Sequence, residues 1–112
     1  MSGVFGPVDY GPTVQGQRGL SATATNAATA SVLQFEVNVF ETVGLNAVVL
    51  LPSVTNCGIV VMNRGANALN VTTQTDQIET YGSVVAVAPG GDSTFWMFDP
   101  PMKPAPRTWW LS

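Results

Sequence analysis

The chain has 112 residues, of which only 10% are charged and none is histidine, with one cysteine and a net charge of −3. This length holds one domain plus a tail at most, the single cysteine excludes an intrachain disulfide, and the scattered bases Arg18, Arg64, Lys103 and Arg107 exclude a basic face that neutralises several phosphates at once. Ordinary domains carry about 25% charged residues and a domain of this size buries only about 60–65% of its unfolded surface, so the outside must be largely apolar or uncharged. Large exposed apolar areas are normally interfaces, and the composition points first to a subunit of an assembly.

Residues 1–31 are dominated by Gly, Pro, Ala, Ser and Thr, with isolated larger residues at Val4, Phe5, Val8, Tyr10, Val14 and Leu20. Gly6-Pro7 and Gly11-Pro12 argue against helix. The first ten residues have neither the basic start nor the apolar core of a secretory signal. Residues 21–31 are small and polar without a periodic apolar face, and such a segment cannot bury enough surface to fold alone. Two readings stand side by side: an extended arm that orders against a neighbour, and a disordered leader.

From Val32 the pattern turns to β. In Leu33-Gln34-Phe35-Glu36-Val37-Asn38-Val39 apolar residues take every second position, the mark of a strand with one buried face. Phe40-Glu41-Thr42 breaks that phase, as at a bulge or strand end. Ala47 to Leu51 is a short apolar strand stopped by Pro52, which cannot donate into a ladder. Cys57 to Met62 is apolar on both faces and reads as central in a sheet or covered by a partner. Its lone thiol has no histidine to activate it and reads as a small buried hydrophobe.

Asn63-Arg64-Gly65-Ala66-Asn67 has the chemistry of a hairpin loop. Ala68 to Thr73 alternates cleanly, with Leu69 and Val71 on one side. Asp76 to Glu79 is a short edge-like piece, and its two acids read as solvated turn residues. Ser83 to Ala88 is a strand ended by the turn Pro89-Gly90-Gly91-Asp92. Ser93 to Phe98 and Arg107 to Leu111 are aromatic strands, separated by a proline-rich stretch that fits an extended polyproline-like connector. Seven or eight short strands with turns about every ten residues predict an all-β fold, a small antiparallel β-sandwich or barrel. The extended N-terminal arm is assigned residues 1–31 and the β-domain residues 32–112.

No catalytic, metal or cofactor site is predicted. The acids are spread along the chain rather than converging, as acid–base catalysis requires. Zinc wants Cys and His ligands that are missing, and Asp92 in its Gly-Gly-Asp-Ser turn lacks the further oxygens calcium needs. Trp109 and Trp110 are adjacent in a strand and point to opposite faces, so one of them must emerge where a partner or ligand can cover it. Trp96 and one of the terminal pair are expected in the core. The opposing reading of the three tryptophans is a sugar-stacking platform.

The run from Gly58 to Val71, then Asp76-Gln77-Ile78, then Ser83 to Phe95 with its Pro89-Gly90-Gly91-Asp92 turn, and a closing Trp109 resemble the small β-rich structural proteins of tailed bacteriophage particles. In that family a valine-rich strand, an Asn-x-Gly-x-Asn-x-Leu loop, a Gly-Asp-x-Ile segment, a Pro-Gly-Gly turn and an aromatic strand ending in Trp follow in this order. The likeness covers residues 58–110. Here Thr73-Gln74-Thr75-Asp76 stands where Pro and Gly precede the acid, and a proline insertion precedes the final Trp. The resemblance implies a non-enzymatic decoration (cement) protein that oligomerises, as a trimer, on the outside of a capsid after synthesis in the host cytoplasm. The implied partners are the major capsid protein and sister copies, with no direct nucleic acid, membrane or cofactor. Interface residues are then Val4, Phe5, Val8, Tyr10 and Leu20 in the arm and Trp109, Trp110 and Leu111 at a subunit contact. A tail, neck or head-fibre component is the alternative from the same class, and a carbohydrate-binding β-module the one from another.

Overall fold

A computed structural model describes residues 15–53, 57–79, 84–100 and 102–111. These residues form ten strands: β1 (Gly16–Ala22), β2 (Ser31–Val32), β3 (Val37–Val43), β4 (Val48–Leu50), β5 (Cys57–Asn63), β6 (Leu69–Thr72), β7 (Gln77–Ile78), β8 (Val84–Val87), β9 (Asp92–Met97) and β10 (Thr108–Leu111). The fold is all-β, in two mixed sheets of order β1-β3-β5-β9-β10-β7 and β2-β4-β6-β8.

From β1 to β9 every connection carries the chain from one sheet to the other, so β1 to β4 and β6 each pair with the strand two places later, while β5 pairs with β9 and β7 with β10. Gly16 lies beside Val37 and Val37 beside Val60 in one sheet, Ser31 beside Val49 and Val48 beside Asn70 in the other. Parallel neighbours need a crossover of about a dozen residues or more, and here the crossovers between β1 and β3, β2 and β4, β3 and β5, and β4 and β6 are each a strand of the opposite sheet. This winding corrects the antiparallel expectation. Antiparallel pairing is confined to β5–β9, β9–β10 and β6–β8. The segment with hairpin chemistry, residues 63–67, and the turn at residues 89–92 both carry the chain between sheets instead of folding a strand back on its neighbour.

The residues that make these crossings are polar and short. Asn63, fully buried, donates from Nδ2 to the carbonyls of Asn67 (2.8 Å) and Val87 (2.9 Å), while its Oδ1 accepts from the Gly65 N–H at 2.9 Å. One amide thus ties the β5–β6 loop to β8. Gly65 is needed there because a Cβ would come within 2.8 Å of Val43.

One apolar cluster joins the inward residues of both sheets: Phe40, Ile59, Val61, Phe95, Met97 and Trp109 from the first, and Val49, Leu69, Val71, Val85 and Val87 from the second. Each side chain fully buried there is worth about 1.5–3 kcal/mol. The expected alternation of Leu69 and Val71 holds, and both are wholly buried.

Two expectations change. In β3 the inward residues are Asn38 and Phe40, while Val37 and Val39 face out. The buried amide is possible because Asn38 Nδ2 donates to the carbonyls of Phe35 (2.7 Å) and Val60 (3.2 Å). The described part of the expected arm, residues 15–31, is also integrated with the sheets. β1 and β2 are strands, Ala22 is buried, and Leu20 packs on the core. The Gln15 N–H donates to Glu36 Oε1 at 2.8 Å, and its carbonyl accepts from Glu36 and Val37 N–H. Backbone pairing, not apolar content, makes β1 a strand.

Candidate interaction surface

The six-stranded sheet has an apolar side on each face. Strand β5 alternates buried Ile59, Val61 and Asn63 with half-buried Gly58, Val60 and Met62, and β9 alternates buried Phe95 and Met97 with Trp96 on the outside. Register places the outward residues in rows: Val39–Met62–Asp92, Val37–Val60–Thr94 and Gly58–Trp96–Trp110. Phe98 continues the β9 side beyond Trp96. A sheet face turned to water usually carries polar residues; this one carries valine, methionine and tryptophan beside Asp92 and Thr94.

The aromatic end of the face is built around a glycine. A Cβ on Gly58 would lie 2.5–2.9 Å from Cζ3, Cε3 and Cη2 of Trp96, so the indole edge occupies the space a side chain would need. Trp96 and Phe98 have parallel rings, 6.3 Å between centroids and 4° between planes. Trp96 is 39% exposed, Phe98 62% and Trp110 45%. Beside them an open hollow of about 380 Å³ is lined by Glu36, Cys57, Gly58, Trp96 and Phe98.

Cys57 borders this hollow. Partial burial, and then the nearby Glu36 carboxylate, push its thiol above the ordinary value, which keeps it protonated and poorly nucleophilic. Several of the described carboxylates make structural contacts. Asp76 and Arg107 form an ion pair at 3.6 Å with side chains only 6% and 7% exposed, and Asp76 also accepts the Arg107 N–H. The expectation of a solvated Asp76 is thereby corrected: Arg107 makes its burial tolerable. Glu79 accepts from Leu111 N–H, and Glu41 pairs with Arg18 at the surface. Asp99 accepts the Thr108 N–H at 2.9 Å and lies 3.3 Å from Lys103 Nζ. Those contacts, the backbone bond foremost, hold its carboxyl below the usual range. Among the described residues no three of Cys, Asp and Glu converge on a metal-sized site.

Val4, Phe5, Val8 and Tyr10 lie outside the described residues. Leu20 is half-buried against the core, as is Leu111. Trp109 is fully buried, so it fills the core rather than meeting a partner, whereas Trp110 points out. Sequence reasoning placed Trp96 in the core and overlooked Phe98. The usable signal was the two-residue spacing of Trp96 and Phe98 around Met97, which puts both rings on the side opposite Phe95.

Comparison of the chain with protein-family models, curated proteins and solved structures gives no match in any of the three.

Proposed function

We propose that this chain is a non-enzymatic structural protein of a virion, a decoration protein that binds the outside of a capsid shell and stabilises it together with sister copies, most simply as a trimer. The observation that carries this reading is the outward aromatic row of Trp96, Phe98 and Trp110 on a chain with only 10% charged residues. Exposed apolar patches of this kind mark interaction sites. The two sheets, which share one apolar cluster, are read as a small β-sandwich rather than a closed barrel. Val4, Phe5, Val8 and Tyr10 are read as the arm residues that meet a neighbour, since β1 already belongs to a sheet. Each arm side chain buried on a neighbour adds about 1.5–3 kcal/mol, and symmetry multiplies the gain.

The test is co-sedimentation of the full chain with expanded capsid shells of tailed phages. Replacing Val4, Phe5, Val8 and Tyr10 together by serine is expected to abolish binding while the circular-dichroism spectrum stays unchanged. Full-affinity binding by that variant removes the arm from the reading, and failure of the unaltered chain to bind any shell removes the reading itself. The parallel Trp96 and Phe98 rings beside Trp110 favour a second reading, a carbohydrate platform. Glycan binding lost on Trp110→Ala in folded protein would support it.

A further inference from the structure

We infer that the cleft between the two sheets at their β1–β2 edge binds a small uncharged molecule with one apolar ring and one O–H or N–H donor, a phenol in its simplest form. The cleft is separate from the outward Trp96, Phe98 and Trp110 row, and its occupant does not depend on whether the chain binds a shell.

The site exists because the core runs out at this edge. Strand β1 sends only Leu20 and Ala22 toward the core, and both residues of β2 are exposed. Buried Leu33, Phe40 and Val49 form the floor, half-buried Leu20 and Phe35 the walls, and the cleft between them measures about 210 Å³. An apolar cavity of about 150 Å³ holds benzene, so this one holds a ring with a small substituent. None of the described residues that line it is ionisable, and a charged ligand would lose its hydration there without meeting a counter-charge.

The demand for a donor comes from Asn38. This residue lines the cleft and is wholly buried. Its Nδ2 is committed to the carbonyls of Phe35 at 2.7 Å and Val60 at 3.2 Å, which fixes the orientation of the amide. Oδ1 is then the end left for an occupant of the cleft, and among the described residues no donor reaches it. A buried acceptor without a donor is costly, since it has given up water for nothing. A ligand O–H at Oδ1 removes a penalty that the folded chain otherwise carries.

The rim chooses a free molecule over a side chain from a polypeptide. Around the mouth Ser21, Ser31 and Gln34 are exposed and uncharged. They hydrogen-bond with water and, Val32 apart, offer no apolar ground on which the rest of a docked chain could lie. An apolar floor with one fixed polar group is the usual make-up of a small-molecule site.

The experiment is an NMR titration of the isotope-labelled full chain with phenol, toluene and benzoate at neutral pH. Phenol is expected to bind, with intermolecular NOEs from its ring to the methyl groups of Leu33 and Val49, and benzoate is expected not to bind. Asn38→Leu is expected to lower the affinity for phenol relative to toluene by about three- to tenfold, the worth of one hydrogen bond. Leu20→Trp, which fills the cleft from its wall, is expected to abolish binding of both with unchanged circular dichroism, and it keeps the test decisive if Asn38→Leu does not fold. Absence of phenol binding at millimolar concentration overturns the inference and leaves Asn38 Oδ1 to water. NOEs to Trp96 or Phe98 instead of the cleft methyls overturn it too, as does a phenol-to-toluene ratio that Asn38→Leu leaves unchanged. Binding that appears only when Val4, Phe5, Val8 and Tyr10 are replaced by serine overturns it in favour of the chain's own leader as the occupant. Capsid binding is measured separately, so the decoration reading can stand or fall without this one.

Discussion

The two faces of the six-stranded sheet are close in composition and opposite in situation. Trp109 and Trp110 are neighbours in the chain, yet the first is wholly buried against Met97 and Ile78 and the second is 45% exposed beside Trp96. Apolar character alone therefore does not define the core of this protein; the facing sheet does. The largest test of that contrast is the matched pair of truncations. Trp109→Ala should cost about 3–5 kcal/mol, in the range of buried aromatic truncations, which is a large share of the roughly 5–15 kcal/mol of a whole domain. Trp110→Ala should cost less than about 1 kcal/mol in dilute monomer, as surface substitutions do. Urea denaturation of both variants measures the gap. Equal costs would mean that the outer face is structural and needs no partner.

The next effect concerns how β7 and β10 are held. Arg107→Met leaves Asp76 buried without its cation, and breaking a buried pair from one side costs about 3–5 kcal/mol. The double variant Arg107→Met with Asp76→Leu should recover most of that loss, because a well-packed apolar pair substitutes for a buried ion pair at little cost. The same denaturation experiment reads both. No recovery in the double variant would show that the backbone bond from Arg107 N–H to Asp76, rather than the charges, carries the junction.

How much of this was legible follows from what each signal encodes. Strands β4, β5, β6, β8 and β9 were readable because proline, glycine and asparagine bound them and inward residues such as Leu69 and Val71 repeat at the pleat's own period. Pairing direction was not readable. The Asn63 loop has the residues of a hairpin, but the neighbour of Val37 in the sheet is Val60, and nothing local records a partner that far along the chain. The phase of β3 was misleading for a different reason. Alternation marked Val37 and Val39, yet the inward side belongs to Asn38 and Phe40, whose burial depends on carbonyls supplied by Phe35 and Val60. β1 was invisible because its side chains are mostly exposed and its strand character comes from β3. Of the expected interface set, Trp110 lies on the outer face, and the rule that adjacent strand residues point oppositely was enough to say that one tryptophan of the pair would.

A smaller effect sharpens the picture of the outer face from within. Gly58→Ala places a methyl group where the Trp96 indole edge now sits. Overpacking of this kind typically costs about 1–3 kcal/mol. Because Trp96 is on the open side, it can swing away, and the expected cost lies at the low end of that range. Tryptophan emission should shift to the red as the indole moves into water. An unchanged spectrum with full stability would mean that the ring is not seated on Gly58.

The smallest effect is one of pH, and its sign can be worked out. Asp99 follows Phe98 and holds the start of β10 through the Thr108 N–H, keeping the connector that sets Trp96 beside Trp110. Its carboxyl is held below the ordinary value in the folded chain, so the folded state binds the proton less readily than the unfolded one. The contribution is then fully present above the ordinary carboxylate value, near 4, and is lost as pH falls through the lower folded value. The stability difference between the unaltered chain and Asp99→Ala should be constant from neutral pH down to about 5 and should close as the solution becomes more acidic. Since Asp76 and Trp109 lie on the inner side of the same junction, amide exchange in acid should rise at Thr108 and in the connector before it rises at Phe95 or Ile59. Simultaneous loss of protection at all of these sites would show that the connector and the core open as one unit, and that the outer aromatic row is no more independent than the wall behind it.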